Sequence, residues 1–149
     1  MNNLYKNEYK KTGIDTLIEQ RSMSQIIAAT IKTGIIKSNV FAMFAGLSMA
    51  LYVNGLNPFA HVWDIVAAFI GSFLVIGAAG TFNNVYDMDI DALMDRTKSR
   101  PTVVGDISKS AAIWLGIIMA IAGLGILWSA SMYAALFGFL GLFFYVGPY

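Results

Sequence analysis

Asn83, Asp87, Asp91 and Asp95 recur at intervals of four in this sequence. In a helix each step of four drifts by about 40°, so Asn83, Asp87 and Asp91 share a narrow face while Asp89 points elsewhere. Stacking carboxylates on one face costs repulsion, which something positive should offset. Hard divalent cations prefer oxygen ligands, and Mg²⁺ is usually held by one or two carboxylates together with substrate phosphates. Arg96, Lys98 and Arg100 follow at once. Carboxylates for a metal beside cations for phosphate oxygens is the chemistry of diphosphate binding. The ordinary reading of a charged run is a solvated loop with local ion pairs. The regular spacing, and a start directly behind an apolar stretch at a membrane edge, favour a metal–diphosphate site instead.

The elements that position these residues follow from where charge is missing. Stretches 38–60, 65–86 and 110–149 contain no Asp, Glu, Lys or Arg. A helix needs about 20 mainly apolar residues to cross the hydrocarbon core. The first two stretches hold one span each. The third fits two, hinged near Ser129 and Ser131. The runs are continuously apolar without strand-like alternation, so the expected fold is an all-α polytopic bundle of about four transmembrane helices. The spans are predicted at 38–56, 64–83, 110–128 and 131–148. Apolar residues at Met23, Ile27, Ile31 and Ile35 predict one interfacial helix over 23–36 leading into the first span. Residues 1–22 read as a polar N-terminus, residues 23–149 as the membrane domain, and 83–109 as its Asp-rich loop. Small residues four apart predict close packing in every span: Ser38, Ala42, Gly46 and Ala50; Ala67 and Gly71; Ala112, Gly116 and Ala120; Ala130, Ala134 and Gly138.

All ten Lys and Arg precede the first span or lie between spans two and three. The positive-inside rule therefore puts the N-terminus and the Asp-rich loop in the cytoplasm, as parts of a multi-pass protein of the cell membrane. Tyr52, Trp63, Trp114 and Trp128 sit near predicted span ends, as an aromatic belt would. A net charge of +1 argues against nucleic acid as a partner. The absence of cysteine leaves no disulfide framework. His61, the one histidine, falls on the opposite side from the acids and reads as a solvated or interfacial residue. Lys37 and Asn39 read as a snorkelling lysine and a helix-packing amide.

The run Asn83-x-x-x-Asp87-x-x-x-Asp91, leaving a membrane helix, resembles the first Asp-rich motif of the intramembrane aromatic prenyltransferases. Asp89-Ile90-Asp91, Met94, Arg96-Thr97 and Arg100-Pro101 are similar to the protohaem IX farnesyltransferase branch of that superfamily, as is the pair Asn83-Asn84. The resemblance is tight over residues 83–101. It implies a helical enzyme that binds farnesyl diphosphate through Mg²⁺ and joins the farnesyl group to a vinyl carbon of haem b, with a hydroxyl added, to give haem O. Asp87, Asp91 and Arg96 would then be catalytic. Asn83, Asp87 and Asp91 would hold the metal. Asn83, Asn84, Lys98 and Arg100 would contact the diphosphate, Asn84 standing where many relatives have an acid. The partners implied are farnesyl diphosphate, haem b, the lipid bilayer and a membrane protein of the haem pathway.

The superfamily carries a second Asp-rich motif, and this sequence holds one. The chain accordingly reads as the N-terminal half of a larger enzyme, inactive by itself. Three rival readings stand beside it: prenyl transfer to another aromatic acceptor such as a quinone precursor, a non-enzymatic divalent-cation-binding membrane protein, and a non-catalytic truncated paralogue. A transporter would place ionisable groups near the bilayer midplane, and these spans have none.

Overall fold

The computed structural model describes residues 21–147, and these are helical with no strand. The polar stretch expected over 1–22 lies, apart from Arg21 and Ser22, outside the described residues, as do positions 148 and 149. Helix α1 (Met23–Thr30) opens on a capping box. The Ser22 hydroxyl accepts from the Gln25 amide at 3.3 Å, and the Gln25 side chain accepts from the Ser22 amide at 2.8 Å.

The single helix expected over 23–36 is broken. Lys32 takes a left-handed backbone, φ 55°, between α1 and α2 (Thr33–Val53). The cause is tertiary. The Asn84 side-chain amide donates to the Thr30 carbonyl at 2.6 Å, and so binds an acceptor that a continuing helix would use. Gly80 leaves room for the break, since a Cβ there would stand 2.9 Å from the Ile31 carbonyl oxygen.

A 3-10 turn (Pro58–His61) leads into α3 (Val62–Tyr86). The short turns α4 (Met88–Asp91) and α5 (Pro101–Val104) lie within the Asp-rich loop. Helix α6 (Lys109–Ala130) starts on Ser108, whose hydroxyl accepts from the Ala111 amide at 3.2 Å. It ends where Ser131 turns extended, φ −159°, before α7 (Met132–Val146). That is the hinge predicted near Ser129 and Ser131.

Helices α2, α3 and α6 are each long and apolar enough to cross a membrane. Helix α7 is apolar but has 15 described residues, about 22 Å against a core of about 30 Å. The chain is thus a multi-pass membrane bundle. Tyr52, Trp63, Trp114 and Trp128 are all exposed, as side chains at an interface would be.

The centre of the bundle is the α3–α6 pair. A Cβ on Gly123 would lie 2.9 Å from the Gly71 carbonyl oxygen, and one on Gly71 would lie 2.7 Å from Leu127 Cγ. Two helices this close gain packing energy that burial from lipid cannot supply. Ile31, Ile36, Ala78 and Met119 form one buried cluster and Val75, Leu127 and Ala135 another. The small residues of α3 and α6 are used as expected. Those of α2 are not: Ser38, Ala42, Gly46 and Ala50 are all exposed, and Gly46 has no atom within 4 Å of an added Cβ. Packing on that face has no counterpart among the described residues.

Candidate active site

The acid row sits at the C-terminal end of α3. The helix stops at Tyr86, so Asn83, Asp87 and Asp91 do not lie on one continuous helix. Asp87 is the junction, with φ −85° and ψ 5°. The backbone still steps by four across it. The Asp87 amide donates to the Asn83 carbonyl at 2.9 Å, and the Asp91 amide donates to the Asp87 carbonyl at 2.7 Å. The expected row therefore survives the loss of the expected helix. Asn83 Nδ2 donates to Asp87 Oδ2 at 2.7 Å. Asp89 is exposed, off the row.

Asp91 is buried, and its carboxylate pairs with Arg100. The loop between them folds back on itself. The Thr97 hydroxyl donates to the Asp91 carbonyl at 3.0 Å, and the Arg100 amide donates to the Thr97 carbonyl at 2.9 Å. Pro101 then starts α5, suited to a first helical position that needs no amide donor. Thr102 Oγ1 returns to the Asn84 carbonyl at 3.4 Å. Arg21 closes the outer edge, donating to the Ser99 carbonyl at 2.9 Å and to Asp106 Oδ2 at 3.0 Å.

The structure does not gather every residue the sequence pointed to. Lys98 pairs with Asp95 at 2.7 Å on the exposed side of the loop. Arg96 is exposed, but its field reaches Lys32. Asn84 is 1% exposed, with its amide nitrogen on the Thr30 carbonyl and its Oδ1 without a hydrogen-bond partner. Its contacts tie α1 to α3. His61 lies at the far end of α3, on Asp64 at 2.9 Å.

One residue of the cluster escaped sequence reasoning. The Lys32 ammonium donates to Asn83 Oδ1, across 51 positions of chain. Lys32 stands just outside the α2 span. Burial lowers its pKa most, the Arg100 and Arg96 charges lower it further, and Asp91 and Asp87 push it back up. The one available signal was the row's own need for a cation, since Lys32 falls inside the helix expected over 23–36. Lys32 also lines a cavity of about 190 Å³ between α2, α3 and α7, with Ile31, Val75, Ala79 and Leu142.

Among the described residues no group of three or more acidic, His or Cys side chains converges as a metal site. Asp87 and Asp91 with Asn83 supply two carboxylates and an amide oxygen. That set does not make a protein-only cage. It fits a hard cation that shares its coordination with phosphate oxygens.

The UbiA prenyltransferase family matches residues 39–149. The chain is 59% identical to protoheme IX farnesyltransferase 1 of Bacillus cytotoxicus, over 87% of this chain and 43% of that protein. It is 57% identical to protoheme IX farnesyltransferase of Shouchella clausii, over 87% of this chain and 42% of that protein. Against protoheme IX farnesyltransferase 2 of Bacillus subtilis it is 41% identical, over 93% and 45%. The chain spans less than half the length of these curated relatives. No solved structure matches it. Since the family match runs unbroken from the first span through the acid row to the last helix, the chain belongs to the UbiA prenyltransferase family.

Proposed function

We propose that this chain supplies the first acidic half-site of an enzyme that transfers a farnesyl group from farnesyl diphosphate to a vinyl carbon of haem b, giving haem O. The observation that carries the reading is the Asn83–Asp87–Asp91 row, paired with Arg100 and with Lys32, which itself lines an apolar cavity. The names of the relatives, protoheme IX farnesyltransferases, support the same substrates.

Asp87, Asp91 and Asn83 would hold Mg²⁺, which when bound supplies positive charge to the diphosphate oxygens. The reaction breaks the bond between farnesyl C1 and the diphosphate, leaving an allylic cation and a highly charged leaving group. Lys32, Arg96 and Arg100 stabilise that leaving charge. Asp91 holds Arg100 in place through the buried pair. The apolar walls between α2, α3 and α7 keep water from the cation while the vinyl carbon of the acceptor attacks it. That attack leaves a cation on the acceptor's other vinyl carbon, and water adds there, giving the hydroxyl as its proton passes to the departed diphosphate. The loop and its basic residues face the cytoplasm of a cell-membrane protein, where a soluble allylic diphosphate is available.

The test is complementation of a strain lacking its own haem farnesyltransferase. The full reading frame carrying this segment should yield haem O by chromatography of extracted haem. Residues 1–149 alone should yield none, because one row meets a diphosphate from one side only. A prenylated quinone precursor in place of haem O would assign the other acceptor and overturn this one.

A further inference from the structure

Lys32 holds a position that a diphosphate-binding lysine alone does not require. Its ammonium rests on Asn83 Oδ1, and Asn83 Nδ2 donates in turn to Asp87 Oδ2 at 2.7 Å. The amide oxygen that a metal would share with Asp87 is thus already facing a cation. We infer that Lys32 is an internal counter-cation, competing with a divalent metal for the Asn83–Asp87 pair and, once displaced, turning to the diphosphate. This inference rests on the proposed diphosphate site.

Two features make the exchange physically workable. The backbone of Lys32 is fixed at the α1–α2 break by the Asn84 contact to Thr30 and the close approach of Gly80 to Ile31. Only the four-carbon side chain has to move, and its ammonium carries three rotatable donors. The surrounding charges also act on the ammonium in both directions. Asp87 and Asp91 attract the ammonium while Arg100 and Arg96 repel it. A doubly charged ion at Asp87 would add repulsion at short range and push the ammonium outward. The vacated ammonium then has the phosphate oxygens of the incoming diphosphate as its nearest uncompensated anion. Charge on the row stays compensated before, during and after loading, which a row of bare carboxylates could not achieve.

The experiment separates competition from scaffolding by sign. The chain is reconstituted in nanodiscs. Mn²⁺ alone is titrated by electron paramagnetic resonance, and inorganic pyrophosphate is titrated at saturating Mn²⁺ by calorimetry. Lys32→Met should bind Mn²⁺ about fivefold more tightly, because a competing cation is gone, yet bind pyrophosphate about tenfold more weakly. Lys32→Arg, which keeps the charge, should leave Mn²⁺ affinity near that of the parent chain. Lys32→Gln should repeat the signs of Lys32→Met with a polar end at the break, which guards against misfolding. Unchanged or weaker Mn²⁺ binding in both neutral variants would overturn the counter-cation role. Mn²⁺ bound by neither parent nor variants would overturn the metal site beneath it.

Discussion

The pair Asp91–Arg100 shows how a residue of the row serves structure and chemistry together. Asp91 is 4% exposed, so its charge is out of water and depends on Arg100. Removing one partner of a buried pair leaves the other uncompensated and typically costs about 3–5 kcal/mol. Arg100→Met should therefore destabilise the detergent-solubilised protein by that order, read as thermal aggregation. Arg100→Met with Asp91→Leu should cost less than Arg100→Met alone, since no stranded charge remains. A double variant worse than the single would show that the pair is not what makes Arg100 matter. Lys98 and Asp95, paired in the open, are worth under about 1 kcal/mol to stability. At this scale the acids were legible, because their spacing survives in the hydrogen bonds from Asp87 to Asn83 and from Asp91 to Asp87. Lys32 was not, because its partner is 51 positions away and nothing local marks it. Asn84 was read from the motif as a diphosphate residue, a role that remains a proposal. Its burial and its bond to Thr30 are tertiary facts, invisible in a linear pattern.

The elements were legible in proportion to their apolar length. The apolar stretches that predicted spans became α2, α3 and α6, with the hinge before α7 at Ser131. The break at Lys32 was hidden because the helical period of Met23, Ile27, Ile31 and Ile35 runs straight through it. Only α3, arriving from elsewhere in the chain, ends α1 there. Small-residue spacing was equally uniform in α2 and α3, yet the described residues pack against it only in α3. This contrast gives a direct test. Gly123→Val places its Cβ within 2.9 Å of the Gly71 carbonyl oxygen, Leu74 Cβ and Val75 Cγ2, and backbone cannot give way cheaply. It should destabilise by about 1–3 kcal/mol or more. Gly46→Ala meets nothing within 4 Å and should stay within about 0.5 kcal/mol of the parent in this chain. Equal effects in a thermal melt would mean that α3 and α6 do not cross as described.

Among the described residues, charge gathers toward one end of α3. The acid row, Lys32 and the ion pairs of the loop lie at the C-terminal end of α3, while His61 and Asp64 lie at the other, about 37 Å away for a helix of 25 residues. The proposed orientation puts the loop in the cytoplasm. Single cysteines at Asn57 and Ser99 should then label from opposite faces of intact cells, with Ser99 protected from an impermeant reagent added outside. Labelling of both from outside would remove the cytoplasmic diphosphate supply on which the function depends. The central claim remains that the row does the chemistry, and it is tested most directly by comparing Asp87→Asn with Asp89→Asn in the full reading frame. Both substitutions remove one negative charge within three positions, but Asp87 is on the row beside Asn83 and Asp89 is exposed off it. Haem O formation should fall about a hundredfold or more for Asp87→Asn, with normal protein accumulation, and stay near the parent rate for Asp89→Asn. Equal losses at the two positions, or an active Asp87→Asn enzyme, would contradict the account.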